Sequence, residues 1–236
     1  MTLEILCLNA YLLPLFLSKD NGKRLKAIIK LIAEKKPDVI ALQEVWMIAD
    51  VKKITKALPE YEFTYSDNFV FNSSGLLTGV RKKEFEFQKQ FNWGKNWSLV
   101  ELLGGKGFHF IGLFKEFYIM NTHLYAPLSV KENEINISQV KEIASWFERR
   151  KGIVVGDLNI EQEYLFSTTN VFNTHFTFGI PTLSHQNPYA NSRLNVTLAN
   201  RRIDYVLATK DVSVSETVLS DIIVSDHYPI LAKITF

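Results

Sequence analysis

The apolar positions of the chain fall into short blocks, and each block ends on polar residues. Leu3 to Asn9 reads as a buried strand; Leu25, Ile28, Ile29 and Ile32 then recur at helical spacing behind Asp20 or Asn21, either of which suits a helix N-cap. After the Pro37 turn, Val39 to Leu42 predicts a strand that delivers Gln43 and Glu44, and Ile48 to Leu58 predicts a second helix. Shorter strands are expected at Phe63–Ser66, Leu76–Arg81, Phe108–Phe114 and Phe117–Thr122. Asn133 to Arg150 carries Ile135, Ile137, Val140, Ile143, Ala144 and Phe147 at amphipathic-helix spacing, and Gly152 to Val155 is a buried strand feeding Gly156, Asp157 and Asn159. From Glu161 to Asn200 the periodicity fades into polar, aromatic and turn-forming residues, as in segments that line binding sites. Strands return at Ile203–Ala208, Val212–Glu216 and Ile230–Phe236. Helices flanking many short strands predict a layered α/β domain, and no break in composition divides residues 1–236 into two.

Composition narrows the class. A hydrophobic content of 47 % over 236 residues supports a large core and excludes a disordered chain. The single cysteine, Cys7, cannot form an internal disulfide and reads as strand filler. Lys and Arg total 27 against 25 for Asp and Glu, so no global cationic field holds a polyanion, although a local phosphate site is compatible. No apolar run reaches the roughly 18–20 residues of a membrane span. The greasy stretch from Ile5 to Leu17 is interrupted by Asn9 and lacks a basic leader, so it reads as a strand and loop rather than a signal peptide. A soluble chain is expected, cytoplasmic or exported by a non-classical route, with no obligate protein partner.

The chemistry lies where the apolar blocks end. Asn9, Glu44, His123, Asp157, Asn159, Asp204 and the pair Asp226-His227 all follow or flank such blocks and are expected at one edge of the core. A carboxylate such as Glu44, with Asn9 or Asp226 nearby, suits a hard cation, magnesium first and manganese as the alternative. Two histidines supply one imidazole to take a proton from water and another to donate to an oxyanion. Together these residues suit metal-assisted hydrolysis of a phosphate ester. Taken singly, each has an ordinary reading: Glu44 as a helix cap, Asn9 and Asn159 as loop ties, Asp157 and Asp204 as partners of Arg201 or Arg202. Gly104-Gly105-Lys106-Gly107 offers a cation near a phosphate or a plain hairpin turn. No HExxH, P-loop, dinucleotide glycine pattern or GxSxG elbow is present.

In chain order, Leu8-Asn9, Gln43-Glu44-Val45-Trp46, Asn121-Thr122-His123-Leu124, Gly156-Asp157-Leu158-Asn159, Arg202-Ile203-Asp204-Tyr205 and Ser225-Asp226-His227-Tyr228-Pro229 resemble the endonuclease/exonuclease/phosphatase superfamily. Cys7-Leu8-Asn9, Arg24-Leu25, Ser74-Gly75-Leu76-Leu77 and Gly105-Lys106-Gly107 are most similar to its neutral sphingomyelinases. The resemblance implies a deoxyribonuclease-like four-layer α/β/β/α sandwich of two packed mixed β-sheets, with the site across one edge. It implies Glu44 as the main magnesium ligand with Asn9 and Asp226, His227 as general base oriented by Asp204 or Asp226, and His123 as phosphate stabiliser or acid. Asp157 and Asn159 would bind phosphate and orient the nucleophile. Lys106 and Tyr125 are further candidate substrate contacts of this sequence. The substrate implied is a choline-bearing sphingolipid, split to phosphocholine and ceramide. Apart from the resemblance, the apolar Leu12, Leu13, Leu15, Phe16 and Leu17 beside Asn9 read either as a peripheral membrane contact or as buried loop anchors. Tyr65, Trp93, Trp97, Tyr125 and Tyr189 are candidates to enclose a choline-sized cation. Two departures stand out: Tyr125-Ala126-Pro127 replaces the usual His-Ala, and Phe236 closes the sequence without a membrane-spanning tail. A nuclease or phosphatase of the same superfamily, and an inactive interaction module, are the alternatives.

Overall fold

The computed structural model describes residues 1–14, 17–81, 86–92, 107–113, 117–127, 133–173, 180–190 and 200–236, with backbone only at 67–68, 86–92, 107–113 and 133. In chain order the elements are β1 (Thr2–Leu12), α1 (Asn21–Lys35), β2 (Val39–Val45), α2 (Ile48–Ala57), β3 (Tyr61–Asn68), β4 (Phe71–Arg81), β5 (Glu86–Asn92), β6 (Gly107–Leu113), β7 (Phe117–His123), α3 (Asn133–Phe147), β8 (Lys151–Asp157), α4 (Gln162–Thr168), β9 (Phe172–Asn173), β10 (Asp204–Thr209), β11 (Ser213–Val218) and β12 (Ile230–Thr235). The strands form two six-stranded sheets, ordered β11-β12-β1-β2-β4-β3 and β5-β6-β7-β8-β10-β9. Each sheet is mixed because it contains one parallel pair, β1 with β2 and β7 with β8. A parallel pair needs a long crossover, and α1 and α3 supply it from the outer faces.

Three apolar layers result. Ile5, Ala41, Ile119, Ile153 and Val206 meet between the sheets. Leu6, Leu8, Ile28, Leu42 and Ile54 pack α1 and α2 on one outer face, and Met120, Val140, Ile143, Val154 and Leu207 pack α3 on the other. This is the four-layer sandwich that the resemblance implies. Cys7 is buried between the sheets as filler.

Strand alternation builds the polar end of the sandwich. Ile5-Cys7-Asn9, Ile119-Asn121-His123 and Ile153-Val155-Asp157 each run from the intersheet core to a polar side chain, and Ala208-Val206-Asp204 does the same in reverse. In register, His123 pairs with Asp157 and Asp157 with Asp204, so the three side chains come up side by side. The approach of β8 to β7 depends on Gly156, whose φ is +142° and whose added Cβ would lie 1.8 Å from the Thr122 carbonyl oxygen. Gly156→Ala is therefore expected to cost about 3 kcal/mol or more and to lower Tm by roughly 6–12 °C in a thermal melt. A melt within 1–2 °C of the parent would remove the packing argument.

Several elements exceed their sequence reading. β2 runs through Gln43 and Glu44 rather than stopping before them, and β5, α4 and β9 were not anticipated. α4 buries only Leu165 and β9 has two residues, too little to leave a periodic signal. Asp20 holds the N-cap position of α1 in a left-handed conformation without a side-chain cap bond. The Asn21 Oδ1 acceptor is taken by Ser18 and Arg24 instead.

Candidate active site

Glu44 reaches the site by breaking the alternation that brings the others. Ile40 and Leu42 face the helix layer, while Val39, Ala41 and Gln43 face the opposite sheet, so a regular strand would turn Glu44 outward. The β1–β2 register shifts between Asn9 and Leu12, where Tyr11 (φ 48°) and Glu44 (φ 55°) are both left-handed. Val45 then takes the outward position, and Glu44 stays at the mouth of the intersheet space. Each left-handed residue costs about 1–2 kcal/mol, a strain located at the one carboxylate the fold would otherwise misplace.

Asp157 is the hub. Its Oδ2 accepts a hydrogen bond from Asn9 Nδ2 at 2.9 Å and lies 3.6 Å from His123 Nε2 and 3.9 Å from His227 Nε2. Asn9 Nδ2 also donates to Glu44 Oε1 at 3.1 Å, and His123 Nε2 stands 3.9 Å from that oxygen. Asp157 Oδ1 accepts the Asn159 amide at 3.0 Å. His227 Nδ1 is 2.7 Å from Asp204 Oδ2, so of the two aspartates considered from sequence it is Asp204 that touches the imidazole. Asp226 lies beside Ser225, whose Oγ is 3.0 Å from Asp226 Oδ1 and 2.7 Å from the Asn9 carbonyl oxygen. Asn187 holds the same segment, donating to the carbonyls of Ser225 and Asp226.

The electrostatics mark an excess of buried negative charge. Burial and the charge of Asp204 push the Asp157 carboxyl up to about 7, against the pull of His227 and the Asn9 hydrogen bond. Burial, with Glu44 adding to it, pushes Asp226 up to about 6 although His227 opposes the rise. Burial by itself would pull the His227 imidazolium down, but the charges of Asp204, Asp226 and Asp157 outweigh it and hold the pKa well above its usual value. Among the described residues Asp204 Oδ1 is buried with no hydrogen-bond partner. Carboxylates that repel one another and an acceptor left unfilled fit a divalent cation, which would restore their charged forms. Asp157, Asp204 and His227 each offer a ligand atom within 4.8 Å of the others, a grouping that can hold a metal ion. The set expected from sequence, Glu44, Asn9 and Asp226, adjoins it: Asn9 bonds both Glu44 and Asp157.

The ordinary readings fail at several positions. Arg201 pairs with Glu161 and Arg202 with Glu216, leaving Asp157 and Asp204 to the site. The N-cap of α2 is Met47, not Glu44. Asn159 is left-handed (φ 49°) and its Nδ2 donates to the Leu124 carbonyl, so part of its amide serves the loop. Tyr125 is half-buried, with its backbone held by Gln139 and Asn136. Of the aromatic candidates, Tyr65 packs on the helix-side core and Tyr189 lies over the Arg24 guanidinium, while Trp93 and Trp97 lie outside the described residues. Lys106, Leu15 and Phe16 also lie outside them. Leu12 is fully buried under α1 and cannot meet a bilayer. Two supports escaped the sequence reading. Gln43, Asn121 and Thr78 form a buried hydrogen-bonded layer beneath the site. Arg24 is buried between the rings of Tyr11 and Tyr189 and donates to the carbonyls of Ala10 and Tyr11. Its signal was a cation on the same helix face as Leu25 and Ile28.

The sequence profile of the Endonuclease/Exonuclease/phosphatase family matches residues 8–227. The chain belongs to this family. Its Asp157, Asp204 and His227 form a candidate metal-binding cluster, consistent with phosphodiester hydrolysis. Among curated proteins it is similar to a Drosophila melanogaster protein named "Putative neutral sphingomyelinase", 29 % identical over 185 residues, 68 % of this chain and 40 % of that one. The chain thus spans less than half the length of that relative. Among solved structures it shares its fold with sphingomyelinase C from Streptomyces griseocarneus at a TM-score of 0.79 and 16 % identity, covering 99 % of both chains. TDP2 of D. rerio, solved with a single-strand DNA product, aligns at a TM-score of 0.73 and 18 % identity over 100 % of this chain and 99 % of its own. Among the described residues no helix is long and apolar enough to cross a membrane.

Proposed function

We propose that this family member, with residues 1–236 as one catalytic domain, hydrolyses the head-group phosphodiester of a choline-bearing phospholipid, sphingomyelin first, in a magnesium-dependent reaction. The observation that carries the chemistry is the His227–Asp204 contact of 2.7 Å, with His227 Nε2 turned to the Asp157 side of the cluster at 3.9 Å. The lipid reading is supported by the fly relative and by a net charge of only +2, a weak field for a nucleic acid.

Glu44, Asn9 and Asp226 would hold the magnesium, which when bound neutralises charge on the scissile phosphate. Asp204 accepts the Nδ1 proton of His227, fixing the tautomer whose Nε2 lone pair takes a proton from water. The water oxygen forms the new bond to phosphorus as the bond to the lipid oxygen breaks. His123 Nε2, between Glu44 and Asp157, faces the phosphate and donates to the departing alkoxide. Asn9, Asp157 and Asn159 keep water and phosphate aligned.

The test is release of phosphocholine from sphingomyelin vesicles with magnesium, beside cleavage of single-stranded DNA and release of phosphate from a monoester. Phosphocholine release that EDTA abolishes supports the reading. Turnover of DNA or the monoester alone overturns the substrate and keeps the site, while inactivity on all three substrates across magnesium and manganese favours an inactive module.

A further inference from the structure

Among the described residues, seven large apolar side chains are exposed: Met1, Leu17, Phe69, Val70, Phe71, Tyr164 and Ile223. Five of them belong to one sheet and one end of it. Leu17 follows β1, Phe69 to Phe71 form the tip of the β3–β4 hairpin and the start of β4, and Ile223 lies in the β11–β12 connection. β1 and β2 run parallel toward Asn9 and Glu44, and β4 and β12 run antiparallel to them, so all three connections lie at the end that carries the site. They are spread across β12, β1, β2 and β4, a rim roughly 15 Å wide at the usual strand spacing.

The hairpin reaches furthest. β2 pairs Leu42 with Leu77, and Met47 still bridges Phe71, so the tip stands beyond the level of Glu44. It is held there: the Ile48 amide donates to the Val70 carbonyl at 3.0 Å, and the Asn72 amide to the Trp46 carbonyl at 2.8 Å. Phe69 is left-handed (φ 52°) and 97 % exposed. A bulky residue at positive φ on a tethered turn, with nearly all its surface in water, is costly unless another surface receives it.

We propose that this rim is the membrane-docking surface: Phe69, Val70, Phe71, Leu17 and Ile223 enter the headgroup layer of a zwitterionic phospholipid bilayer and hold the mouth of the site against it. This deepens the phospholipid reading above and rests on it. Zwitterionic lipid is the occupant that the charges fit. Among the described side chains of these segments and the first turn of α1, the exposed charges are Lys19, Lys23, Asp20 and Asp221, which balance and give neither an anionic lipid surface nor a nucleic acid a field to follow. The apolar residues project from separate connections instead of lining a groove, which suits insertion between headgroups.

The test is flotation of the intact chain with phosphatidylcholine vesicles in EDTA, where binding is read without turnover, for the parent and for Phe69→Ser/Val70→Ser. Both substitutions are at exposed positions outside the site, and a thermal melt checks that the variant folds. Parent binding that the variant weakens about tenfold or more, and that changes less than about twofold between 0.1 and 0.5 M salt or on adding phosphatidylserine, supports the proposal. Turnover of a monomeric short-chain substrate should stay within about twofold of the parent, while vesicle turnover falls with binding. Equal vesicle binding by parent and variant overturns it, as does absent parent binding. A parent dimer lost in the variant, with vesicle binding unchanged, assigns the rim to a second copy instead. Binding without hydrolysis of any phospholipid leaves the surface standing and removes the substrate reading.

Discussion

Glu44→Gln is expected to lower magnesium-dependent phosphodiester turnover by about 10²- to 10³-fold while the protein stays folded. The substitution keeps the side chain's size and its hydrogen bond with Asn9 but removes the charge that the left-handed turn of β2 brings to the site. In the metal-free protein that charge is a liability. It stands with Asp157, Asp204 and Asp226 in a buried space, and it helps to push Asp226 up to about 6 after burial has begun the rise. Removing it relieves repulsion, so the metal-free Tm of Glu44→Gln should equal or exceed the parent's, while the rise in Tm on adding magnesium should shrink. Activity and metal-induced stabilisation thus fall together as metal-free stability holds or improves. A general structural role for Glu44 predicts the reverse, a lower metal-free Tm. Parent-like turnover at low magnesium would remove Glu44 from the metal site.

The apolar periodicity carried most of the elements, though not the pairing of the sheets, which came with the family resemblance, because the layers are built from strands that alternate cleanly. Ile5, Ile119, Ile153 and Val206 all belong to the intersheet core, and the polar residue that ends each pattern is there because the pattern continues by one more step of two. Asn9, His123, Asp157 and Asp204 were therefore legible as site residues from position alone. Glu44 was legible from the same block-end position, but its route to the site was not: the alternation of β2 would have turned it to the helix layer, and the register shift that keeps it at the site leaves no mark in hydrophobicity. Contacts between distant segments were also illegible. That Asp204 and not Asp226 touches His227, or that Asn187 holds the carbonyls of Ser225 and Asp226, follows from packing across the two sheets. The places of Tyr65 and Tyr189 were illegible for the same reason. Tyr65 and Tyr189 have suitable side chains, but strand face commits the first to the outer core and Arg24 occupies the second.

The contact between His227 and Asp204 yields the other large effect. His227→Ala is expected to cost about 10²- to 10⁴-fold in kcat, the range of a positioned proton acceptor. Asp204→Asn should fall in the same range, because an amide accepts the Nδ1–H less strongly and can present its own N–H, which selects the tautomer with its proton on Nε2. The two substitutions act on one unit, so the double variant should be scarcely slower than the slower single one. The pH profile separates this role from a packing role. Protonated His227 cannot accept a proton, so activity rises with pH as the imidazolium ionises. Burial lowers its pKa, but the charges of Asp204, Asp226 and Asp157 hold it well above the usual value. Taking away the Asp204 charge removes the largest of these opposing effects, so the acid limb of the residual kcat profile in Asp204→Asn should move to lower pH. Deuterium and pH-rate measurements on parent and Asp204→Asn at saturating magnesium read this shift directly. An acid limb unmoved in Asp204→Asn, with turnover lost equally at every pH, would mean that Asp204 packs the loop and does not set the charge of the base.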